Sequence, residues 1–514
     1  MDQGLPVVYV RGFAGRTSGI NDAVEDPFYG FNLGSTHVRV GGSGEPLFHQ
    51  FESPLLRLML DHDYELFVHG GQRTWLEGEA DGSVAPNSIW IHRFYDVSAS
   101  TWGGNPESFR LEAAAEDLLD LIELLRAKTG APRVHLVAHS MGGLICRCLI
   151  QKVIPERVDA GESPPADEVV DRLFTYATPH GGIAFDVGFG MIERLRDTFG
   201  IAGADIFGPD RMHEYLTAGA AGSTPSGYRP QEMPDAAFPK HRIFCLVGTN
   251  PDDYDVARGW SSRAVGAKSD GLVQIDRASV PGARSAYVHR SHSGRYGIVN
   301  SEEGYQNLRR FLFGALTVEA ELVGLDLPGR PDDGLVWQVE VELAVRGLPV
   351  LMHQQVADHH CPITLDRPVE APVPLLTTFL IADADNRPDE RTTVRYSLHL
   401  RVLALRERRG VFDFRDHLEQ GAEFDDALVV DVGAVDDRLA AWAAWTSGIN
   451  VALRDYEPEG PPLEDEEPDE GLWIARVELP SSAREILGSE AAVRLSVSDR
   501  GHEGRDELQR PGRA

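Results

Sequence analysis

Lysine is almost missing from this 514-residue chain: Lys128, Lys152, Lys240 and Lys268 are the only four among 49 basic residues. Aspartate and glutamate number 80, and the formal net charge is −31 at pH 7. So acidic a surface is repelled by nucleic-acid phosphates and by anionic membranes, which makes both poor partners. Arginine in place of lysine fits a GC-rich genome, with or without adaptation to salt. Cysteine is equally scarce, at four: Cys146, Cys148, Cys245 and Cys361. They form no C-x-x-C pair and no secreted disulfide framework, so reduced, buried thiols are expected. No run of eighteen apolar residues occurs, which excludes a stable membrane-spanning helix. The start, MDQG, lacks a basic segment followed by an apolar stretch. As written the chain reads as cytoplasmic, and as secreted if a leader precedes it.

What is present is an ordinary globular composition, 42% apolar and 8% aromatic, which argues against wholesale disorder. At this length two or three domains are expected. Near-continuous apolar runs at 5–10 (LPVVYV), 64–68, 88–95, 133–138, 171–177, 242–248 and 285–289 have the texture of strands buried on both faces. Helical stripes fall between and after them. One spans Glu107 to Lys128, with Leu111, Leu118, Leu119, Ile122 and Leu125; another spans Glu302 to Phe313. Alternating strands and helices predict an α/β domain over residues 1–314, a mostly parallel sheet with helices on both faces. Residues 185–240 break the rhythm with apolar helical pieces among Gly, Ser and Pro. That is where a lid over an apolar cleft would sit, or equally a plain connecting subdomain. After Gly314 the period changes to two, at 336–345, 393–405, 473–479 and 491–497. Residues 315–514 are therefore expected to form an antiparallel β-sandwich, carrying a solvated acidic, Pro-rich loop at 455–470.

One stretch carries chemistry. The apolar strand before Ser140 stops at Ala138-His139-Ser140-Met141-Gly142-Gly143, and a long apolar run resumes behind it. A buried strand turning sharply into a helix crosses at a strained residue with small neighbours, which is the nucleophile-elbow pattern G-x-S-x-G with Ala at its first position. The turn lifts the hydroxyl to the helix mouth. There the Met141 N–H and the positive end of the helix can face a developing oxyanion. A nucleophilic serine also needs a base and a group that orients the base. Asp270, before Gly271 in KSDGLVQI, is preferred as the orienter, with Asp252, Asp253 and Asp255 as rivals on NPDDYD. His292 is preferred as the base, on the loop after the strand SAYVH, with His289, the last residue of that run, kept open. Gly12, in VYVRGFAGR, permits the tight turn that would aim the Phe13 N–H at the serine as second oxyanion donor.

AHSMGG, RGFAG, TYATPHGGI, SDGLV and the His-loop-helix ending together resemble bacterial lipases and esterases of the α/β-hydrolase superfamily, and the related inositol-deacylase-like serine esterases. The resemblance covers roughly residues 1–314. It implies an acyl-enzyme mechanism on small-molecule or lipid esters, with no organic cofactor. Such enzymes usually carry His-Gly in the first loop, where this chain has Arg11-Gly12; either Arg11 braces the loop with its fork or the loop is reshaped. Family members often hold a structural calcium, but no ligands are assigned here, since Asp383-Ala-Asp385-Asn386 lacks the spaced Gly and Glu of a calcium loop. The rival readings are a phospholipase or acyltransferase on the same triad, and a catalytically silent hydrolase-fold binding protein. His359-His360-Cys361 reads as a loop rather than a metal site, His180 as a turn former, His139 as packing, and Trp102 and Phe109 as acyl-pocket or core residues. The oligomeric state is left open.

Overall fold

The computed structural model describes residues 4–12, 31–40, 44–67, 71–94, 110–183, 205–220, 223–252, 268–294, 296–330, 334–381, 393–406, 419–435, 438–466 and 471–501. The chain divides into two compact units, Met1–Ser285 with His289–Leu308 and Ala286–Val288 with Arg309–Ala514.

A seven-stranded sheet is drawn from the first unit except for Ala286–Val288 of its last strand, which count with the second. Its strands are β1 (Val7–Val10), β4 (Glu65–Leu66), β5 (Ser88–Ile91), β6 (Val134–His139), β7 (Val170–Tyr176), β8 (Ile243–Gly248) and β9 (Arg284–Val288), in the order β4-β5-β1-β6-β7-β8-β9. The pairings from β4 through β8 are parallel. Every residue of β1, β5 and β8 is buried, as the unbroken apolar runs require of strands covered on both faces. The chain starts in the middle of the sheet. It first crosses to the edge strand β4, returns through β5 beside β1, and then builds from β6 toward β9. The connections leaving the neighbours β1 and β6 therefore diverge, and the crevice at their carboxyl ends is where such sheets bind ligands.

A hairpin of β2 (Ser35–Val40) and β3 (Pro46–Phe51) lies between β1 and β4. Sequence patterning does not reveal it, because β3 is largely exposed and offers no buried face to mark a period. Among the described residues the α-helices up to residue 313 are α1 (Pro54–His62), α2 (Gln72–Gly78), α3 (Leu111–Thr129), α4 (Met141–Cys148), α5 (Ile154–Asp159), α6 (Ala166–Val169), α7 (Pro209–Leu216) and α8 (Glu302–Phe313), the last of which runs past Leu308 into the second unit. The expected start of α3 at 107 falls outside the described residues. Its buried stripe of Leu118, Leu119, Ile122 and Leu125 is in place, and Gly130 closes it at φ 71°. Between α4 and α5 the helix widens into π-type turns over Leu149–Val153, just ahead of Pro155, which has no N–H to give to the ladder.

Of the insertion at 185–240, residues 185–204 and 221–222 lie outside the described residues. The described part leans on the helical run behind β6: Gln151 Nε2 donates to Leu216 O, Lys152 Nζ to Glu214 O, and Arg147 Nη2 to Glu232 O.

The second unit contains two antiparallel sheets. One has the order β14 (Val373–Leu380), β10 (Leu316–Val323), β19 (Ala492–Asp499), β18 (Leu472–Glu478). The other runs β12 (Leu351–Gln355), β11 (Leu335–Val345), β15 (Val394–Arg406), β16 (Glu419–Val435), β17 (Arg438–Trp445), with β13 (Ile363–Leu365) also on β11. Alternate residues of both, such as Val318, Ala320 and Leu322 in one and Val339, Val341 and Leu400 in the other, meet in one core, so the unit is a β-sandwich. The acidic loop is mostly exposed over its described part, 455–466, yet it is tied down. Leu463 N–H donates to Ala441 O and Trp442 Nε1–H to Gly460 O. Beneath it Arg395 forms a buried two-pronged pair with Asp431 and donates to Leu453 O and Tyr456 O.

Candidate active site

Ser140 sits between β6 and α4 at φ 54°, ψ −127°, a conformation uncommon for any residue with a Cβ. Packing enforces the bend. A Cβ at Gly142 would overlap Val10 O and lie 2.6 Å from Arg11 O, and one at Gly143 would overlap the Thr178 side chain. Hydrogen bonds hold it: Ser140 N–H donates to Tyr176 O (2.9 Å), while Ser140 O accepts from Gly143 N–H and Thr178 Oγ1, each at 3.0 Å.

The imidazole that meets the serine is His292, with Nε2 2.9 Å from Ser140 Oγ. Its Nδ1 lies 2.9 Å from Asp270 Oδ2, and its N–H donates to Asp270 O at 2.9 Å. The other carboxylate oxygen, Asp270 Oδ1, accepts from the N–H groups of Leu272 (3.0 Å) and Val273 (2.8 Å). An ionised carboxylate only accepts, so Nδ1 carries the proton and Nε2 is left to accept from the serine hydroxyl. Asp270 is 1% exposed, His292 3% and Ser140 7%, so bulk water does not compete at these contacts.

The rivals stand elsewhere. His289 is exposed, with Nδ1 3.4 Å from Thr249 Oγ1. Asp252 is exposed as well, its N–H on Asn250 Oδ1. Asp253 and Asp255 lie outside the described residues, as do Phe13, Trp102, Phe109, and Asp383 to Asn386. The loop after β1 runs against Ser140, for a Cβ at Gly12 would lie 2.8 Å from Ser140 Cβ. Arg11 is buried, with its carbonyl against the Gly142 Cα. Met141 is the first residue of α4, so its N–H is one of those the helix ladder leaves over.

Several supporting residues carry no sequence signal. Arg290 pairs in two-pronged fashion with Glu303 (3.1 and 2.9 Å), pinning the His292 loop to the first turn of α8. His139 Nε2 lies 2.9 Å from His292 O, and the two rings are 5.0 Å apart. Arg147, seven residues past the serine, is fully buried and donates to His180 O, Glu232 O and Gln151 Oε1. Burial pushes its pKa down to about 10. His180 does occupy a turn, with Nε2 3.1 Å from Thr175 Oγ1, and burial first, then Arg147, hold its pKa well below the usual value. His359 and His360 also lie in a turn, and the Cys361 thiol faces Gln354 O and Val356 O. All four cysteines are free and buried. Among the described residues no three His, Cys, Asp or Glu side chains group as metal ligands would, and no helix is long and apolar enough to cross a membrane.

Residues 86–161 match the family described as alpha/beta hydrolase fold. That segment holds β5, β6, Ser140 and the helix behind it. With the seven-stranded sheet, this makes the first unit an α/β-hydrolase core. No curated relative matches the chain. Similar solved structures include the Bacillus licheniformis lipase BlEst2, 14% identical over 61% of this chain and 92% of that one, at a TM-score of 0.28. Another is Aspergillus fumigatus lipase B, 10% identical over 60% and 52%, at 0.29. A third is the Bacillus subtilis naproxen esterase, 12% identical over 60% and 83%, at 0.21. At such low similarity, none of the chemistry below rests on them.

Proposed function

We propose that this protein is a serine carboxylester hydrolase working through an acyl-enzyme. One observation carries the reading: two 2.9 Å contacts join Ser140 Oγ to His292 Nε2 and His292 Nδ1 to Asp270 Oδ2. In the first half-reaction His292 Nε2 takes the Ser140 proton as Oγ attacks the ester carbonyl carbon. Asp270 keeps the imidazole in the accepting tautomer and offsets its new positive charge. The oxyanion is received by the Met141 N–H at the positive end of α4 and by the Phe13 N–H on the loop after Gly12. Collapse expels the alcohol, which takes its proton from His292, and leaves Ser140 acylated. Water, deprotonated by the same imidazole, then attacks the acyl group and releases the acid.

This chemistry calls on no metal or organic cofactor. The order Ser140, Asp270, His292 along the chain is that of α/β-hydrolases. The substrate class is an acyl ester, small or lipid-like. Residues 1–314 carry the reaction, 185–240 act as its lid, and 315–514 are an accessory sandwich. Ser140→Ala is expected to abolish both p-nitrophenyl ester turnover and labelling by a fluorophosphonate. Turnover at the wild-type rate would overturn the assignment.

A further inference from the structure

We infer that His139 is a positioning residue that links the base loop to the nucleophile elbow. The role rests on the ester-hydrolase reading above and deepens it. His139 is the last residue of β6 and the neighbour of Ser140, so its main chain is fixed by the sheet. Its ring reaches across to the His292 backbone, Nε2 to O at 2.9 Å. A carbonyl oxygen only accepts, so Nε2 carries the proton and donates. Besides its two contacts with Asp270, His292 is thus tied to the elbow at two points, by Ser140 through its ring and by the residue before Ser140 through its carbonyl.

The other ring nitrogen faces the loop after β1. A Cβ at Gly12 would lie 3.3 Å from His139 Nδ1, 3.2 Å from His139 O and 2.8 Å from Ser140 Cβ. One imidazole therefore touches the base loop on one side and the oxyanion-side loop on the other. It must stay neutral to serve. Desolvation first, and the neighbouring His292 second, push its pKa down to about 3. A neutral ring 5.0 Å from His292 adds no repulsion when that imidazole becomes positive during the reaction.

The test compares His139→Phe, which keeps the ring bulk but removes the donor, with His139→Gln, which restores an N–H donor. Displacing a base by a fraction of an ångström lowers kcat rather than substrate binding. His139→Phe is expected to lose about tenfold or more in kcat and in fluorophosphonate labelling rate, with KM within about twofold of wild type. His139→Gln is expected to recover most of both, and thermal unfolding should show the two variants equally folded. Wild-type kcat and labelling in His139→Phe would overturn the role, and so would a His139→Gln enzyme as slow as His139→Phe. If His139→Phe does not fold, His139→Gln decides alone, its near-wild-type rate supporting the donor and a large loss refuting it. A wild-type protein with no Ser140-dependent activity would sink the ester-hydrolase reading itself, which is a different result.

Discussion

Asp270→Asn tests the relay most sharply, because the structure dictates how the new amide must lie. Asp270 Oδ1 accepts two backbone N–H groups, from Leu272 and Val273, at 3.0 and 2.8 Å. An asparagine keeps both only by placing its carbonyl oxygen there, which turns its NH2 toward His292 Nδ1. Two N–H groups cannot face each other, so the imidazole must move its proton to Nε2. In that tautomer it cannot accept from Ser140 Oγ, now 2.9 Å away. Loss of the accepting tautomer costs about 10⁴-fold in kcat in serine triads, about 5.4 kcal/mol of barrier. Stability should hardly change, since both backbone bonds survive. Steady-state hydrolysis of p-nitrophenyl butyrate gives the rate, and a thermal melt gives the control. A folded Asp270→Asn enzyme slowed less than tenfold would refute Asp270 as the group that sets the tautomer.

Two further substitutions probe other parts of the molecule. Gly12→Ala puts a methyl 2.8 Å from Ser140 Cβ. Carbon atoms ordinarily stop at about 3.5–4.0 Å, so a shift of about 1 Å is needed. A displacement of that size costs about 10²-fold in kcat/KM. Ester turnover within threefold of wild type would show that the loop after β1 does not abut the nucleophile. In the sandwich, His399 bridges Asp425 (2.8 Å) and Glu342 (3.2 Å). Desolvation lowers its pKa, but the hydrogen bonds the ring donates to Asp425 and Glu342, and their charges, outweigh it, and the net shift is upward. A raised folded-state pKa adds stability that is complete below the unfolded value and lost as pH rises through the folded one. The half-exposed site keeps the effect small. The Tm gap between wild type and His399→Gln should therefore be larger near about pH 6 than near about pH 8.5. Equal gaps at both would exclude the bridge as a source of stability.

Where burial is two-sided or strictly alternating, the fold is legible in the residues themselves. VVYV at 7–10 and IFCLVG at 243–248 can only be strands covered on both faces, and VWQVEVELAV at 336–345 alternates as a sandwich strand must. Less was readable where burial is partial. The strand expected at 88–95 ends at Ile91, and that at 64–68 is assigned only over Glu65–Leu66. β16 carries no clear strand signal, because Gly421, Asp425, Asp426 and Gly433 interrupt its apolar pattern.

The elbow at Ser140 belongs to the sequence, because its cause is local. A small hydroxyl between a buried strand and a helix, with Gly142 and Gly143 where no Cβ fits, leaves the backbone little choice. Which partners it has is a tertiary matter. His289 and His292 are three residues apart, and Asp252 and Asp270 both lie on loops, so local patterning separates neither pair. The choice is made by how those loops are tied: Arg290 to Glu303, His292 N–H to Asp270 O, and the His139 ring to the His292 carbonyl. The last two join residues from different strand ends, which meet only when the sheet has brought those ends together. The sequence could therefore name Ser140 outright and only rank Asp270 and His292 above their rivals, whereas the tertiary structure decided which carboxylate and which imidazole stand beside Ser140.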